Sequence, residues 1–582
     1  MAGEQQGTGS GLAADNVTVA QRRYFEGRLM GLRTNRYSWW THGRELADYL
    51  LPRRYKWLIT PNQTARGSPI NGHILDSTGT LSARNLASGI TSGISSPIRP
   101  WFNLKVGRID TTQTSPASLW LAECRRLMLL VLHESNFYES ISQVYFDLVV
   151  FGTAVLLVYE DFDDVIHCYT PCFGEYYVDV DGKLRPCVFY REFTLTVAQV
   201  VERFGIENCS ETIRSLWKSR DGASLTREIV VAHAIEPNEQ PEKLGFPKHF
   251  AYREVYWEYG GTGNPQAGGT NATGFLQKRG FLELPAIIFR WDLVANDAYG
   301  RSPGMDALPD VKQLQQETKR KAQAIDKHVN PPMVADIQMK NQPASMLPGG
   351  VTYVQGITSG KTPGFAPAYQ VQPELAGITT DIALIQDRIR KTFYNDIIQT
   401  ISQYETRSNV TAQEIDVRKA ESLIMLGPVF GRMHSALGLF IERLWGVMVR
   451  ADIFPEPPAS IAGKAVDVEY ISILSMAQDA AAGGGIERLF GLSGNLVGVD
   501  PSVMDNVDID YGIAKYSSLL NNDPKLIRSP EELQAIRSNR QRQQQQAQQV
   551  EMAEKLAAGA KTLSETDAGG GFNALQQLTG AS

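Results

Sequence analysis

The sequence predicts a mainly helical α+β protein built around a pair of slender helices, an architecture that an enzyme pocket explains poorly. Residues 303–453 read as a helix, a Pro- and Gly-rich excursion, a second helix, a short polar loop and a very long helix. Each of the first two helices carries one narrow apolar stripe, whereas a globular core would require wider apolar faces. Short strand patterns fill much of residues 154–291. Slender helices of this kind would be stabilised if many copies of the chain packed side by side around an axis.

The first helix is expected over residues 303–329. Its apolar residues recur at spacings of three and four, which is the period of one helix face. Asn330-Pro331-Pro332 ends the helix, because the residue before a proline is pushed out of the α region. The stripe consists of Val311, Leu314, Thr318, Ala322, Ile325 and Val329, and the polar surface includes Lys312, Gln315, Glu317, Lys319, Arg320, Lys321, Asp326 and Lys327.

Residues 330–374 form the excursion, and the second helix is expected over residues 375–397. Proline and glycine punctuate the excursion around two short β-like pieces, Met333–Ile337 and Val351–Val354. This pattern predicts a small, mostly β segment at the tip of a helical hairpin. The stripe of the second helix consists of Ile378, Ile382, Ile385, Ile389 and Phe393.

Residues 398–409 are polar and have no strong period. Thr411 and Glu414 then match a capping box, which opens a helix over residues 410–453. Gly427 and Pro428 lie inside this helix, and we expect a kink there because proline removes one backbone hydrogen bond.

The regions on either side of residues 303–453 have different patterns. Residues 1–302 begin with helices, over 17–60, 77–95 and 116–150, the last interrupted near Ser135-Asn136, and continue as short strands interrupted by a helix over 197–204. Residues 454–530 mix short helical and strand-like pieces. Residues 531–582 begin with a Gln-rich helix and end in a Gly-rich tail.

Several segments together resemble one known family, the portal or head-to-tail connector proteins of short-tailed double-stranded DNA bacteriophages. The resemblance covers about residues 17–520, and the set of motifs is specific although each motif alone is weak. The segments that carry it are Arg36–Trp40, Glu45–Pro52, Ile74–Thr80, Ala83–Ile90, Ser96–Phe102 and Asn409–Glu414.

The resemblance implies the portal fold, assembled as a ring that is a dodecamer in this family. Twelve helices spaced by about 10 Å would enclose a lumen of roughly 28 Å, wider than a duplex. Carried over to this chain, the parts are an N-terminal arm and wing (1–302), a first stem helix (303–329), a clip (330–374), a second stem helix (375–397), a tunnel loop (398–409), a long kinked wing helix (410–453), a crown (454–530) and a C-terminal helix with a flexible tail (531–582).

The resemblance also implies partners and a location. Double-stranded DNA would pass through the ring without sequence-specific contacts during packaging and ejection. The terminase large subunit would dock at the clip and later be replaced by tail adaptor and tail proteins. Major capsid and scaffolding proteins would surround the ring at the portal vertex of the virion, after assembly in the host cytoplasm. No cofactor, metal or membrane partner is expected.

Two groups of residues are candidates for contact with DNA. The first lies in the predicted tunnel loop, which could instead be an ordinary connector. The second lies on the stem helices and could instead be solvated or paired between subunits. The loop residues are Gln399, Gln403, Tyr404, Glu405 and Arg407, and the stem residues are Lys319, Arg320, Lys327, Arg388 and Lys391.

Composition agrees with a structural protein that does not grip DNA. Hydrophobic residues make up 43% of the chain and charged residues 21%, which is ordinary for a soluble globular protein. The net charge of −6 counts against a DNA clamp, whose contacting face is usually basic. Five cysteines without framework spacing indicate a reducing compartment. The longest apolar pieces, such as Leu127–Leu132, are too short to span a membrane.

Three motifs suggest chemistry but have plainer explanations. Residues 356–362 have too few residues between their glycines for a phosphate loop, and proline follows them. His167 and Cys168 would point to opposite faces of a strand, so a zinc site with Cys172 is disfavoured. Asp508 and Asp510 could share one strand face but lack a third metal ligand.

No catalytic residues are predicted from these patterns. Two alternative functions remain at this stage. One is a helical scaffold or adaptor protein without a DNA channel, and the other is a nucleotide-dependent enzyme that uses residues 356–362.

Overall fold

A computed structural model describes the chain with gaps, and its described residues fall into two compact units. The first unit comprises Met1–Phe102, Leu127–Phe454 and Tyr470–Ala477, and the second Asn103–Arg126, Pro455–Glu469 and Gln478–Ser582. The described residues are 9–55, 71–106, 116–239, 250–259, 274–329, 333–335, 365–367, 375–396, 427–461, 466–470, 473–496, 505–519, 526–528 and 530–565.

Helices make up most of the described residues, as predicted. In chain order they are α1 (Gly9–Leu50), α2 (Pro52–Tyr55), α3 (Thr78–Ile94), α4 (Pro116–Glu134), α5 (Phe137–Phe151), α6 (Val197–Phe204), α7 (Glu211–Ser219), α8 (Gly222–Leu225), α9 (Pro303–Val329), α10 (Leu375–Thr392), α11 (Gly427–Arg450), α12 (Ile473–Leu496), α13 (Ile509–Leu519) and α14 (Pro530–Glu565).

The described strands form four sheets, with orders β1-β12, β10-β11, β3-β2-β9 and β4-β5-β6-β7-β8. The five-stranded sheet is an antiparallel meander. The strands are β1 (Phe102–Lys105), β2 (Thr153–Glu160), β3 (Ile166–Tyr169), β4 (Tyr176–Val180), β5 (Pro186–Thr196), β6 (Glu228–Pro237), β7 (Tyr252–Glu258), β8 (Gln277–Phe281), β9 (Ala286–Arg290), β10 (Met333–Ala335), β11 (Phe365–Pro367) and β12 (Asp467–Tyr470).

Both faces of the five-stranded sheet are buried, so that even charged or polar residues of its central strands, such as Arg191, His233 and Glu254, are buried. Ala232, Ala234 and Trp257 face α1, where they pack with Phe25 and Leu29. The residues between them in the strands face the other way and pack against α6 and α7. On that side, Val231 and Tyr256 contact Val197, Val200, Phe204 and Ile213.

Local signals explain several boundaries in this region. Thr196 and Gln199 form a capping box, which starts α6 at the predicted residue. Gly152 has φ +75° at the end of α5, and an added Cβ would lie 2.3 Å from the carbonyl oxygen of Gly300. Only glycine fits this turn, which sends the chain directly from α5 into the buried strand β2.

The two slender helices form where the sequence predicts them, with one correction. α9 spans the predicted residues 303–329, but α10 ends at Thr392 rather than at 397. The helix stops because Tyr394 adopts a left-handed backbone conformation with φ 54°. In the excursion, β10 lies where a β-like piece is predicted and pairs with β11, which the sequence analysis misses. The predicted strand 351–354 lies outside the described residues.

The second unit also corrects one prediction. Asp508 and Asp510 do not share a strand, because they lie at the start of α13. The Asp508 carboxylate accepts a hydrogen bond from the Tyr511 N–H at 3.0 Å, and Asp510 forms a two-point ion pair with Arg537 at 2.7 and 2.8 Å. A helix start therefore occupies the proposed metal position. Among the described helices, none combines the length and apolar character that a bilayer span needs.

Candidate functional site

The helical pair of α9 and α10 is the candidate functional element. The two helices contact each other through one face each, where Val311, Leu314, Ile382, Ile385 and Ile389 are buried. Arg388 on α10 also reaches α9, with its guanidinium 3.1 Å from the Asp310 carboxylate. The two helices are therefore joined by an apolar seam with an ion pair at its edge, and α1, α3 and α5 also contact α9.

The seam is shorter than the sequence predicts. Ile325 and Val329 belong to the predicted stripe of α9, but their side chains are 42% and 76% exposed. Leu384 on α10 is 60% exposed. These apolar side chains are only partly covered by the described residues. Ile325 and Val329 are four residues apart, so together they leave a short apolar strip exposed on one face of α9.

Gln315 ties the helical pair to the loop before α3, although the sequence analysis places it on the polar surface. Its side chain is only 7% exposed. The side-chain oxygen accepts hydrogen bonds from the N–H groups of Leu75 and Asp76 at 2.7 and 3.0 Å. The side-chain nitrogen donates to the Asp76 carbonyl oxygen at 2.8 Å. All three bonds reach a segment about 240 residues earlier in the chain.

Asp76 extends the same connection to the second helix. Its carboxylate accepts hydrogen bonds from the Thr78 N–H at 2.8 Å and from the Gln386 side chain on α10 at 2.7 Å. Burial alone would raise the pKa of Asp76, but these hydrogen bonds outweigh it and lower the pKa below its usual value. We call Asp76, Gln315 and Gln386 the polar clamp. The clamp joins both helices of the pair to the segment Ile74–Thr80.

The start of α9 is locked to the end of α5. The Ser302 hydroxyl donates to the Val150 carbonyl oxygen at 2.7 Å and accepts from the Met305 N–H at 3.1 Å. Gly304 allows this close approach, since an added Cβ would lie 2.8 Å from the Val150 oxygen. The base of the pair is therefore rigid, in contrast to the exposed end of α9.

The five cations predicted to contact DNA divide into those with and those without an ion-pair partner among the described residues. Lys391 lies 2.7 Å from Asp387, which raises the pKa of the lysine, and Arg320 lies 3.6 Å from Glu317. Arg388 is paired with Asp310, as described above. Lys319 and Lys327 are exposed and form no ion pair with any residue that the structure describes. Of the five cations on this pair that the sequence predicts to contact DNA, these two therefore lack an ion-pair partner among the described residues.

The other predicted contacts fall where the structure gives no description. The loop residues Gln399, Gln403, Tyr404, Glu405 and Arg407 lie outside the described residues. So does residue range 356–362. The described part of the long helix begins at Gly427, and the residues before it, on which the predicted kink at Gly427 and Pro428 depends, are also outside. These predictions stay predictions.

His167, Cys168 and Cys172, which the sequence analysis disfavours as a zinc site, lie in the described part of the first unit. Cys168 is buried, and its backbone N–H and carbonyl oxygen are both bound by the Asn136 side chain at 2.8 Å. Burial raises the pKa of Cys168 and of Cys172 to about 12, so neither is a ready thiolate. Within the described ranges, no three His, Cys, Asp or Glu side chains come close enough together to bind a metal ion.

Two arginines of the first unit, the buried Arg36 and the partly buried Arg54, contact buried side chains, and the sequence analysis misses both. Arg36 is 1% exposed and lies between aromatic rings, with its guanidinium carbon 4.4 Å from the centre of Phe173 and 5.0 Å from that of Tyr176. Arg54 pairs with the buried Asp147 at 2.9 Å. Burial raises the pKa of Asp147 to about 6, although Arg54 opposes this shift. The only sequence signal is that Arg36 begins one of the family motifs.

Comparisons with known proteins identify relatives over most of the chain. The family described as "Bacteriophage head to tail connecting protein" matches residues 22–527. The "Probable portal protein" of Bordetella phage BPP-1 is 38% identical over 523 residues, which cover 89% of this chain and 91% of that protein. The "Portal protein" of Salmonella phage epsilon15 is 36% identical over 544 residues, which cover 93% and 94%.

One solved structure gives a weaker match. A chain of the "Virion of native gene transfer agent (GTA) particle" covers 68% of this chain and 78% of its own length, with 10% identity and a TM-score of 0.29. A likeness at this level carries no argument about fold or function.

Proposed function

Because the chain belongs to the bacteriophage head-to-tail connecting, or portal, family, we propose that it forms a ring with a central channel for double-stranded DNA. Phage portal proteins are structural rather than enzymatic, sit in the virion head and associate with capsid and tail components. A nucleotide-dependent enzyme is therefore the wrong alternative. DNA would pass through the ring during packaging and again at ejection.

The helical pair supports this proposal best. Each of its helices buries one face against the other and leaves apolar residues such as Leu384 and Ile325 exposed. In a monomer these side chains stay in contact with water, whereas neighbouring copies around an axis would cover them. In this assignment α9 and α10 are the stem, 330–374 is the clip and 398–409 is the tunnel loop.

The remaining regions complete the proposed assignment. Residues 1–302 form the arm and wing, 410–453 the long wing helix, 454–530 the crown and 531–582 the C-terminal helix and tail. We assign the ring to the portal vertex of the capsid, next to the major capsid and scaffolding proteins, after assembly in the host cytoplasm. The terminase large subunit would bind at the clip, and tail adaptor and tail proteins would replace it after packaging.

Lys319 and Lys327 are the stem residues that we assign to transient contact with DNA phosphate. Their exposure and lack of an ion pair among the described residues support this choice over Arg320, Arg388 and Lys391, whose charges are partly neutralised. With a net charge of −6 for the whole chain, a few exposed cations would guide DNA without holding it.

Electron microscopy of the purified full-length chain tests the proposal. We expect top views of closed rings, with twelve-fold symmetry and a lumen wider than a duplex. Rings with a solid centre, or with a lumen narrower than a duplex, would favour the scaffold or adaptor alternative. Particles that remain monomeric at high concentration would contradict the ring itself.

A further inference from the structure

A cavity of about 420 Å³ lies in the first unit, beside the carboxyl end of β7. Its wall is formed by the turn before α7, the first residues of α7, the last residue of β7 and the residues that lead into β8. The side chains that matter for its chemistry are Glu207, Ser210, Glu211, Glu258, Phe275 and Leu276. This size is within the range of clefts that take a ligand or a large side chain.

Glu258 is the chemically unusual residue of the wall. Its side chain is 2% exposed. One carboxylate oxygen, Oε1, accepts a hydrogen bond from the Ser210 N–H at 2.8 Å. The other, Oε2, is buried and has no hydrogen-bond partner among the described residues. Because an unsatisfied buried polar atom costs about 1 to 3 kcal/mol, more for a charged group, a donor at this position would stabilise the site.

The cavity wall is acidic, and the nearby basic side chains are already engaged. Glu207 and Glu211 are exposed at its rim. Arg214 also lines the cavity, but its guanidinium donates to the carbonyl oxygens of Ile206 and Glu207 at 3.1 and 2.6 Å. Arg214 also lies 3.9 Å from the Glu211 carboxylate, so Glu207 and Glu258 remain as carboxylates of the wall without an ion pair among the described residues, and their charge favours a cation over an anion.

Two further basic residues close to the cavity are also committed. Arg22 donates to the carbonyl oxygens of Gly274 and Glu258 at 2.8 and 2.6 Å, and Lys278 donates to the Gln21 side chain at 2.9 Å. The adjoining residues 260–273 contain no Lys or Arg. The Lys278 ammonium also lies 4.1 Å from the centre of the Phe275 ring, so the nearest lysine of the same chain is held there and at Gln21 and does not pair with Glu258.

We propose that this cavity receives a Lys or Arg side chain from a second copy of the chain. Phe275 and Leu276 offer an apolar wall for the methylene stem of such a side chain, and the carboxylates receive its charged end. The inference rests on the proposed ring, which places a second copy beside each subunit. It adds a specific ion pair between the wings of neighbouring subunits.

A density map of the assembled wild-type ring by electron cryo-microscopy gives the first test. We expect a basic side chain of the neighbouring subunit in the cavity, within hydrogen-bond distance of the Glu258 carboxylate. Rings whose cavity holds only water, a free polyamine, or the chain's own residues 260–273 would overturn the inference and leave the portal proposal intact. Absence of rings would overturn both.

Glu258→Gln gives the second test, with Glu202→Gln as its control. Glutamine keeps the shape and an oxygen for the Ser210 N–H but removes the charge, and Glu202 is an exposed glutamate on α6 outside the cavity. We expect Glu258→Gln to raise the dissociation constant of each subunit interface about tenfold, measured by analytical ultracentrifugation, since it leaves the partner cation unpaired. Equal assembly of both variants, with unchanged circular dichroism, would overturn the proposed contact.

Discussion

Replacing Gln315 with alanine tests whether the polar clamp holds the stem helices to the segment before α3. The substitution removes three hydrogen bonds of 2.7, 3.0 and 2.8 Å. At about 1 kcal/mol net for each bond, local opening of this segment should become easier by about 3 kcal/mol. That free energy corresponds to a loss of roughly two powers of ten in hydrogen-exchange protection at residues 74–80.

The neighbouring glutamine provides a matched control. Gln316 follows Gln315 on α9 but is exposed, so Gln316→Ala should change stability by about 0.5 kcal/mol or less. Hydrogen exchange followed by mass spectrometry measures both variants under identical conditions. Equal protection of residues 74–80 in the two variants would refute the clamp. It would mean that the hydrogen bonds of Gln315 stabilise this segment no more than hydrogen bonds to water do.

Three further predictions concern charge and close packing. Asp147 has its pKa raised by burial from 3.8 to about 6, so the folded chain holds a proton that the unfolded chain releases. As pH rises from about 4 to 6, the unfolding free energy of the wild type should therefore fall by about 2 to 3 kcal/mol relative to that of Asp147→Asn. Denaturant titrations at each pH measure both proteins, and a difference in unfolding free energy that does not change with pH would contradict this. Gly304→Ala should destabilise by about 1 to 3 kcal/mol, because the new Cβ meets a backbone oxygen at 2.8 Å, whereas Gly431→Ala has open space and should stabilise slightly in the same thermal melts. Lys319→Gln combined with Lys327→Gln should reduce the salt dependence of duplex binding by assembled rings, and an unchanged slope would exclude phosphate contact at these lysines.

Local sequence signals predict several elements of residues 116–302. The helix over 197–204 is found where it is predicted, and the structure shows that a capping box of Thr196 and Gln199 starts it. The break between α4 and α5 is predicted near Ser135-Asn136, where the structure has it. These features depend on residues within a few positions of each other, so the sequence alone is sufficient to find them.

Long-range features escape the same reasoning. Gln315 looks like a surface residue, because nothing near it in sequence reveals that a loop about 240 residues away completes its hydrogen bonds. Ile325 and Val329 continue the apolar stripe of α9, so the helical period predicts that they are buried. In the described residues their side chains are instead exposed. Glu258 likewise gives no sign of its unpaired oxygen, since only the packing of α7 against the end of β7 creates it.

The helical pair is secured at one end of α9 and uncovered at the other, and this asymmetry bears on how the portal protein is stabilised. Near its start, α9 is fixed by Ser302 and Gly304 to the backbone of α5 and by Gln315 to the clamp. Beyond that point the apolar residues Ile325 and Val329 are exposed. A surface helix of this length draws most of its stability from packing rather than from propensity. The proposed ring would supply that packing from neighbouring copies. Assembly of the ring would therefore also stabilise the exposed end of α9 as a helix.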